Sequence, residues 1–354
     1  MANTQKIRLE LSPEAGKYVR ADAPREVRLM AARGALPLPP PELASVLFAL
    51  MHDADAEVKA TARDSLETLP DGVMGSVLSA PIHAAVLDHL ARTFRGDEAR
   101  CERIVLNPAA ADSTIAFLAG LPFKNVVEIA SNNQQRLLRC PAIVDSLGSN
   151  PLTGRSVIER ILSFIGIDER ADEALPDPES IDDEEAREAL RAVLGEDFAA
   201  YHELLIEDHE QEVDTDPGGS LYSLIQNMSV FQKIKLGRMG NKEARSLLVR
   251  DRNKIVAIAA VTSPKITDNE MIGIAKSRAV CDEVIRIIAM NKEVTRNYQV
   301  KLALATNPRT PQATAMKFVN YLGDRELRQL MKSKDVPSSI STHARRILTK
   351  KGKL

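Results

Sequence analysis

Three cations, Arg250, Arg252 and Lys254, stand immediately ahead of the apolar run Ile255–Val261. Lys265 and Arg309 each follow a proline, Pro264 and Pro308, just before segments with helical spacing. Cations beside helix N-termini suit phosphate or carboxylate, because unpaired backbone N–H groups and the helix dipole both favour an anion there. Lys292 and Arg296 complete the set of seven that forms the candidate anion- or partner-binding surface. For each residue alone, the ordinary solvated face of a helical protein is the stronger reading. The summed charge of the region argues for the surface as a whole.

Other chemistry finds little to stand on. His202 and His209 are seven apart, whereas metal ligands on one helix face need a spacing of three or four. Asp214-Thr215-Asp216 opens like a calcium loop, but the position that should hold a bidentate Glu is Ile225. There is no P-loop, GxGxxG, HExxH or GxSxG pattern. Carboxylates crowd residues 166–216 without surroundings that would raise a pKa for acid–base work. Cys101, Cys140 and Cys281 are far apart and odd in number, which predicts inert thiols in a reducing compartment. No apolar segment is long enough to act as a signal core or membrane span. The expectation is a cytoplasmic, non-catalytic protein with no cofactor, no membrane contact and no small-molecule substrate.

The net charge of −2 hides a strong asymmetry. Residues 1–165 carry 18 basic and 19 acidic groups. Residues 166–216 carry 3 basic and 20 acidic groups, and residues 217–354 carry 26 basic and 10 acidic. Such blocks bear on partners and association rates rather than on fold. Aromatics make up only 4% of the chain, with no Trp, and the apolar residues are mostly small and aliphatic. That suits closely packed helices.

The elements that must position these charges are announced by a repeat. The stretch from Asn107-Pro108 recurs from Ser263-Pro264. Ala119 aligns with Ala275, Ala130 with Ala289, Asn132 with Asn291, and Asn150-Pro151 with Asn307-Pro308. A residue before proline is pushed out of the helical region, so each Asn-Pro or Ser-Pro ends a helix. Asp112, Thr153, Thr267 and Thr310 are the expected N-caps of the helices that follow. Thr267 and Glu270 have capping-box spacing, and Pro311 is expected at the first helical position. The recurring asparagines at 107, 132, 150, 291 and 307 are expected to satisfy turn backbone. A weaker repeat relates Glu26-Val27 to Glu57-Val58.

Several of these patterns resemble known helical repeats. The acidic turn of Asp53 and Asp55 before Val58-Lys59 resembles the HEAT repeat. The Asn-Pro-x-Thr pattern is similar to the leucine-rich repeat variant, although the unit here is 43 or 44 residues, read as a helix pair, and the variant's cysteine cluster is absent. Residues 221–354, and more loosely 97–165, resemble an uncharacterised bacterial helical-repeat family. These likenesses imply an all-α solenoid of stacked helix pairs, HEAT- or armadillo-like. Its expected parts are a repeat block at 1–165, an acidic and partly helical connector at 166–220, and a basic repeat block at 221–354. A solenoid face implies a protein or peptide partner. Nucleic acid bound by residues 221–354 is the alternative, weakened by Tyr298, Phe318 and Tyr321 falling largely at apolar-periodic positions.

Overall fold

The computed structural model describes residues 9, 11–20, 22–164, 218–333 and 335–353. The sequence allows a short strand or no order at Ile7–Leu11 and acidic helices at 180–194 and 198–206; these, His202, His209 and the Asp214–Asp216 loop lie wholly or largely outside the described residues. Two compact units emerge, Met1–Thr153 and Gly154–Leu354. Among the described residues there are helices and turns and no strand.

Unit 1 contains α1 (Pro13–Val19), α2 (Arg25–Ala32), α3 (Pro40–Leu50), α4 (Ala56–Glu67), α5 (Asp71–Ser79), α6 (Ala84–Thr93), α7 (Glu98–Leu106), α8 (Asp112–Ala119), α9 (Lys124–Asn132), α10 (Gln134–Arg139) and α11 (Pro141–Ser149). Unit 2 contains α12 (Arg155–Phe164), α13 (Gly218–Asn227), α14 (Val230–Met239), α15 (Lys242–Leu248), α16 (Lys254–Val261), α17 (Asp268–Lys276), α18 (Asp282–Met290), a 3-10 turn (Val294–Arg296), α19 (Tyr298–Thr306), α20 (Gln312–Val319), α21 (Asp324–Lys332) and α22 (Ser338–Lys350). Each helix packs mainly on others one to three places away in the chain, as in α8 with α11, α14 with α16 and α17 with α19.

Small aliphatic residues make this packing possible. Every residue of Ile255–Val261 in α16 is buried. Where α14 crosses α16, a Cβ on Gly237 would lie 3.1 Å from the Ala260 nitrogen, so any larger residue would push the helices apart. Ile288, on the buried stripe of α18, is in the core, as its helical phase predicts.

The repeat holds three α-helices, not the expected pair. Between Ser263 and Asn307 lie α17, α18 and α19, and between Asn107 and Asn150 lie α8, α9 and α11 with the short α10 inserted. One polar device recurs in each copy. Asn150, just past α11, donates Nδ2 to the Ala119 and Leu121 carbonyls at the end of α8, at 2.8 and 2.7 Å. Its Oδ1 accepts the Leu152 amide. Asn307 does the same with Ala275, Ser277 and the Arg309 amide. Asn107 does so with Leu78, Ala80 and the Ala109 amide. Ser263 keeps a reduced version, donating to the Arg238 carbonyl at 2.7 Å. Helix C-termini leave carbonyls without intrahelical partners, and buried ones must be satisfied. One amide side chain therefore ties two helix ends and a turn together.

The caps are only partly as expected. Thr267 forms the predicted capping box with Glu270. Asp112 is instead the first residue of α8, after Ala111, and its carboxylate is taken by Arg136 and Arg139. Thr153 turns its hydroxyl back to the Leu147 carbonyl at 2.5 Å and leaves the helix start to Gly154. Pro311, not Thr310, occupies the cap of α20. An arginine pair takes the Asp112 carboxylate and a helix end takes the Thr153 hydroxyl, whereas the Thr310 hydroxyl is buried without a hydrogen-bond partner. The acidic turn of unit 1 joins α3 to α4: Asp55 caps α4, and Asp53 pairs with Arg28 at 2.5 Å.

Candidate interaction surface of the second unit

Helix starts in unit 2 fix where the predicted cations lie. Asn253 caps α16 through the Ile255 amide, and Asp251 in turn accepts the Asn253 amide. Arg250 and Arg252 are thereby displayed on the exposed turn before α16. Lys254 is less free, since its Nζ lies 3.3 Å from Glu283. Lys265 is exposed just after the Ser263-Pro264 turn. Lys292 and Arg296, both exposed, flank and end the 3-10 turn. Arg309 bonds the Arg278 carbonyl at 3.2 Å and Asp282 at 3.3 Å.

Two of the helix N-termini beside the predicted cations are closed to an anion. Thr267 and Glu270 cap α17 beside Lys265, and Asn253 caps α16 beside Lys254. The start of α20, behind Arg309, lacks a side-chain cap, as do those of α18, α21 and α22. The seven cations are thus not gathered into one anion site.

Three clefts mark where side chains do converge. The first, about 280 Å³, opens between α15 and α17 and includes Lys242, Arg250, Val249, Ile274 and Val280. The second, about 350 Å³, lies among α17, α19 and α21, with Arg278 and Asp335 paired at 3.0 Å beside it. The third, about 460 Å³, is more open and brings Arg286 and Arg309 beside Asp282 and Pro311. Of the predicted residues, Arg250 lines the first cleft and Arg309 the third. Arg252, Lys254, Lys265, Lys292 and Arg296 line none of the three.

The first cleft has a rigid wall that spacing alone could not reveal. Arg245 grips Glu270 with two bonds, Nε to Oε1 at 2.9 Å and Nη2 to Oε2 at 3.1 Å, and donates Nη1 to the Gly240 carbonyl. Both side chains are nearly buried, at 4% and 9% exposure. Burial alone would raise the Glu270 pKa, but the bonds from Arg245 and Thr267 outweigh it and hold the carboxyl below its usual range. The capping box was the sequence signal that could have found Glu270; nothing local points to Arg245.

The aromatics also differ from expectation. Tyr321 is 66% exposed and Tyr298 40% exposed, so two of the three are surface groups, while Phe318 is partly buried against the core. The Tyr298 hydroxyl accepts the Gly323 amide at 3.0 Å, and Lys301 Nζ lies 5.2 Å from the centre of the Tyr321 ring. A turn after α20 projects Tyr321 away from the apolar stripe its spacing suggested.

Burial pushes the Cys101 thiol up to about 11 and raises that of Cys281, which disfavours thiolate chemistry at either. Among the described residues no cluster of three His, Cys, Asp or Glu could hold a metal ion, and no helix is long and apolar enough to cross a membrane.

No family model matches the chain, and no curated protein matches it. Among solved structures, the crystal structure of an engineered protein from the Northeast Structural Genomics Consortium aligns over 95% of this chain and 98% of its own, at 16% identity. Its TM-score of 0.25 is too low to mark a shared fold.

Proposed function

We propose that the chain is a non-catalytic interaction scaffold whose helical repeats, stacked as a HEAT- or armadillo-like solenoid, hold a protein or peptide partner. The observation that carries this reading is the repeated asparagine staple. It ties the helix ends of each repeat copy together in the same way, so that equivalent positions recur from copy to copy. Repeat proteins use such periodic surfaces to bind extended partners. Affinity capture with the full chain, followed by quantitative mass spectrometry and competition with free chain, tests it. A saturable, competed protein partner is the expected result. Capture of nothing above background would remove the reading.

A second reading, nucleic acid on residues 221–354, gains from the exposed Tyr298 and Tyr321, the latter with the half-buried Lys301 beside its ring. An aromatic face beside a cation offers base stacking together with charge. Fluorescence anisotropy with a single-stranded oligonucleotide across a salt series separates the two readings. Binding that weakens with salt and is lost in Tyr321→Ala would favour nucleic acid. No binding at low salt would leave the protein scaffold.

A further inference from the structure

The asparagine staples expose a difference between copies of the repeat. Asn150 and Asn307 bond the carbonyls of Ala119 and Ala275, so the positions two residues earlier, Phe117 and Gly273, are equivalent. In α8, the ring of Phe117 is half-buried and takes the Arg92 guanidinium over its face at 4.8 Å. In α17 the same position has no side chain, and a Cβ built on Gly273 would meet nothing within 4 Å. The φ of Gly273 is not positive. Neither backbone strain nor packing within the chain therefore requires glycine there, although glycine is a poor helix former.

What the glycine leaves is the first cleft. Val249, Ile274 and Val280 give it apolar walls, and Lys242 and Arg250 lie at its exposed edge. Arg245 is neutralised by Glu270, and the exposed Arg250 gives the cleft a positive edge. At about 280 Å³ it lies at the lower end of the size of ligand pockets, roughly 300 Å³, which suits one or two side chains better than a whole small molecule.

We propose that this cleft takes an aromatic or large aliphatic side chain of a partner peptide, with a flanking carboxylate directed to Arg250. The partner supplies in trans the ring that Phe117 supplies in cis. Charge complementarity selects an acidic peptide over a basic one, and the missing Cβ selects a bulky apolar anchor. This rests on the scaffold reading and adds to it the site and the partner's chemistry.

The test is selection of a random heptapeptide display library on the immobilised full chain, followed by anisotropy titration of the enriched peptides. Peptides pairing Phe, Leu or Ile with Asp or Glu are expected. Their affinity should fall at least tenfold in Gly273→Phe, which refills the cleft as unit 1 does, and at least tenfold in Arg250→Glu. Gly273→Ala should retain binding within about twofold, since one methyl leaves most of the cleft open, and circular dichroism reports whether each variant is folded. If Gly273→Phe does not fold, Arg250→Glu alone decides. Enriched peptides that bind wild type and folded variants alike would overturn the site while leaving the scaffold reading standing. Enrichment of basic peptides would overturn the assigned partner chemistry. Enrichment of nothing would overturn both the site and the peptide-scaffold reading.

Discussion

Unit 1 and unit 2 share the asparagine staple but use their arginines differently. In unit 1 arginines close turns: Arg28 pairs with Asp53, Arg100 with Asp71, and Arg136 and Arg139 with Asp112, while Arg136 also takes the Pro108 and Ala110 carbonyls. In unit 2 one arginine, Arg245, is committed to a nearly buried pair, and Arg250, Arg252, Arg286 and Arg296 stand exposed. The charge counts locate the difference in one part of unit 2: residues 217–354 carry 26 basic and 10 acidic groups, while residues 166–216 of the same unit carry 3 basic and 20 acidic, and residues 1–165 are near balance. The same repeat chemistry therefore accompanies turn-closing arginine pairs in unit 1, and in unit 2 both paired cations, Lys254 and Arg309 among them, and the exposed Arg250, Arg252, Arg286 and Arg296.

The sharpest way to break this comparison is to remove one member of the Arg245–Glu270 pair. Glu270→Gln leaves a guanidinium nearly buried without its counter-charge, which costs roughly 3 kcal/mol when such a pair is broken. The unit 1 counterpart, Asp112→Asn, disturbs more exposed pairs and should cost under about 1 kcal/mol. Denaturant unfolding of the full chain measures both, and equal losses would show that the two units do not differ in this way. The pair also sets a pH dependence. The folded-state pKa of Glu270 lies below its usual 4.5, so its contribution is complete above that value and is lost as pH falls through the folded pKa. Acid titration of wild type should therefore show a loss of stability below about pH 4.5 that is reduced in Glu270→Gln.

The staple itself gives a middle-sized effect that should be graded by its bonds. Asn307→Ala strips two buried carbonyls and one amide of their partner and should cost about 2–3 kcal/mol. Ser263→Ala removes a single short bond to Arg238 and should cost about 1 kcal/mol. Parallel thermal melts would detect the order. A Ser263 variant as damaging as the Asn307 variant would mean that the hydrogen bonds are not what the repeat asparagines contribute.

Much of this was legible in the chain before its structure. Helix positions follow from apolar spacing and proline, and Ile288 is in the core because its stripe has one possible phase. Asn107, Asn150, Asn291 and Asn307 carry the turn role expected of them, whereas Asn132 ends α9, and the reach of 29 to 32 residues by which Asn107, Asn150 and Asn307 bond a distant helix end was not visible. Contacts of that range depend on how helices pack, and no local pattern encodes them. The helix pair became three helices because short helices of nine residues or so fit between punctuation marks that a period alone does not resolve. For the same reason, Arg245 escaped notice, and the assembly of cations before α16 and after Pro264 was read as one surface when only Arg250 lines a cleft beside an apolar wall.

The smallest expected effect falls on the position where the two copies diverge most. Gly273 lies inside α17 with a negative φ, is exposed, and has no neighbour within 4 Å of an added Cβ. Alanine there removes the backbone freedom that glycine has in the unfolded chain and adds no clash, which should stabilise the helix by up to about 1 kcal/mol. The same reasoning fails at Gly237, where the added Cβ would press on Ala260, so Gly237→Ala should destabilise. Comparing the two variants by thermal melting separates a glycine held for packing from one held for something outside the fold. A gain at Gly273 with a loss at Gly237 would mean that α17 forgoes helix stability where its cleft opens. A loss at both would mean that Gly273 is needed by the fold itself, and the contrast with Phe117 would then be a matter of packing rather than of binding.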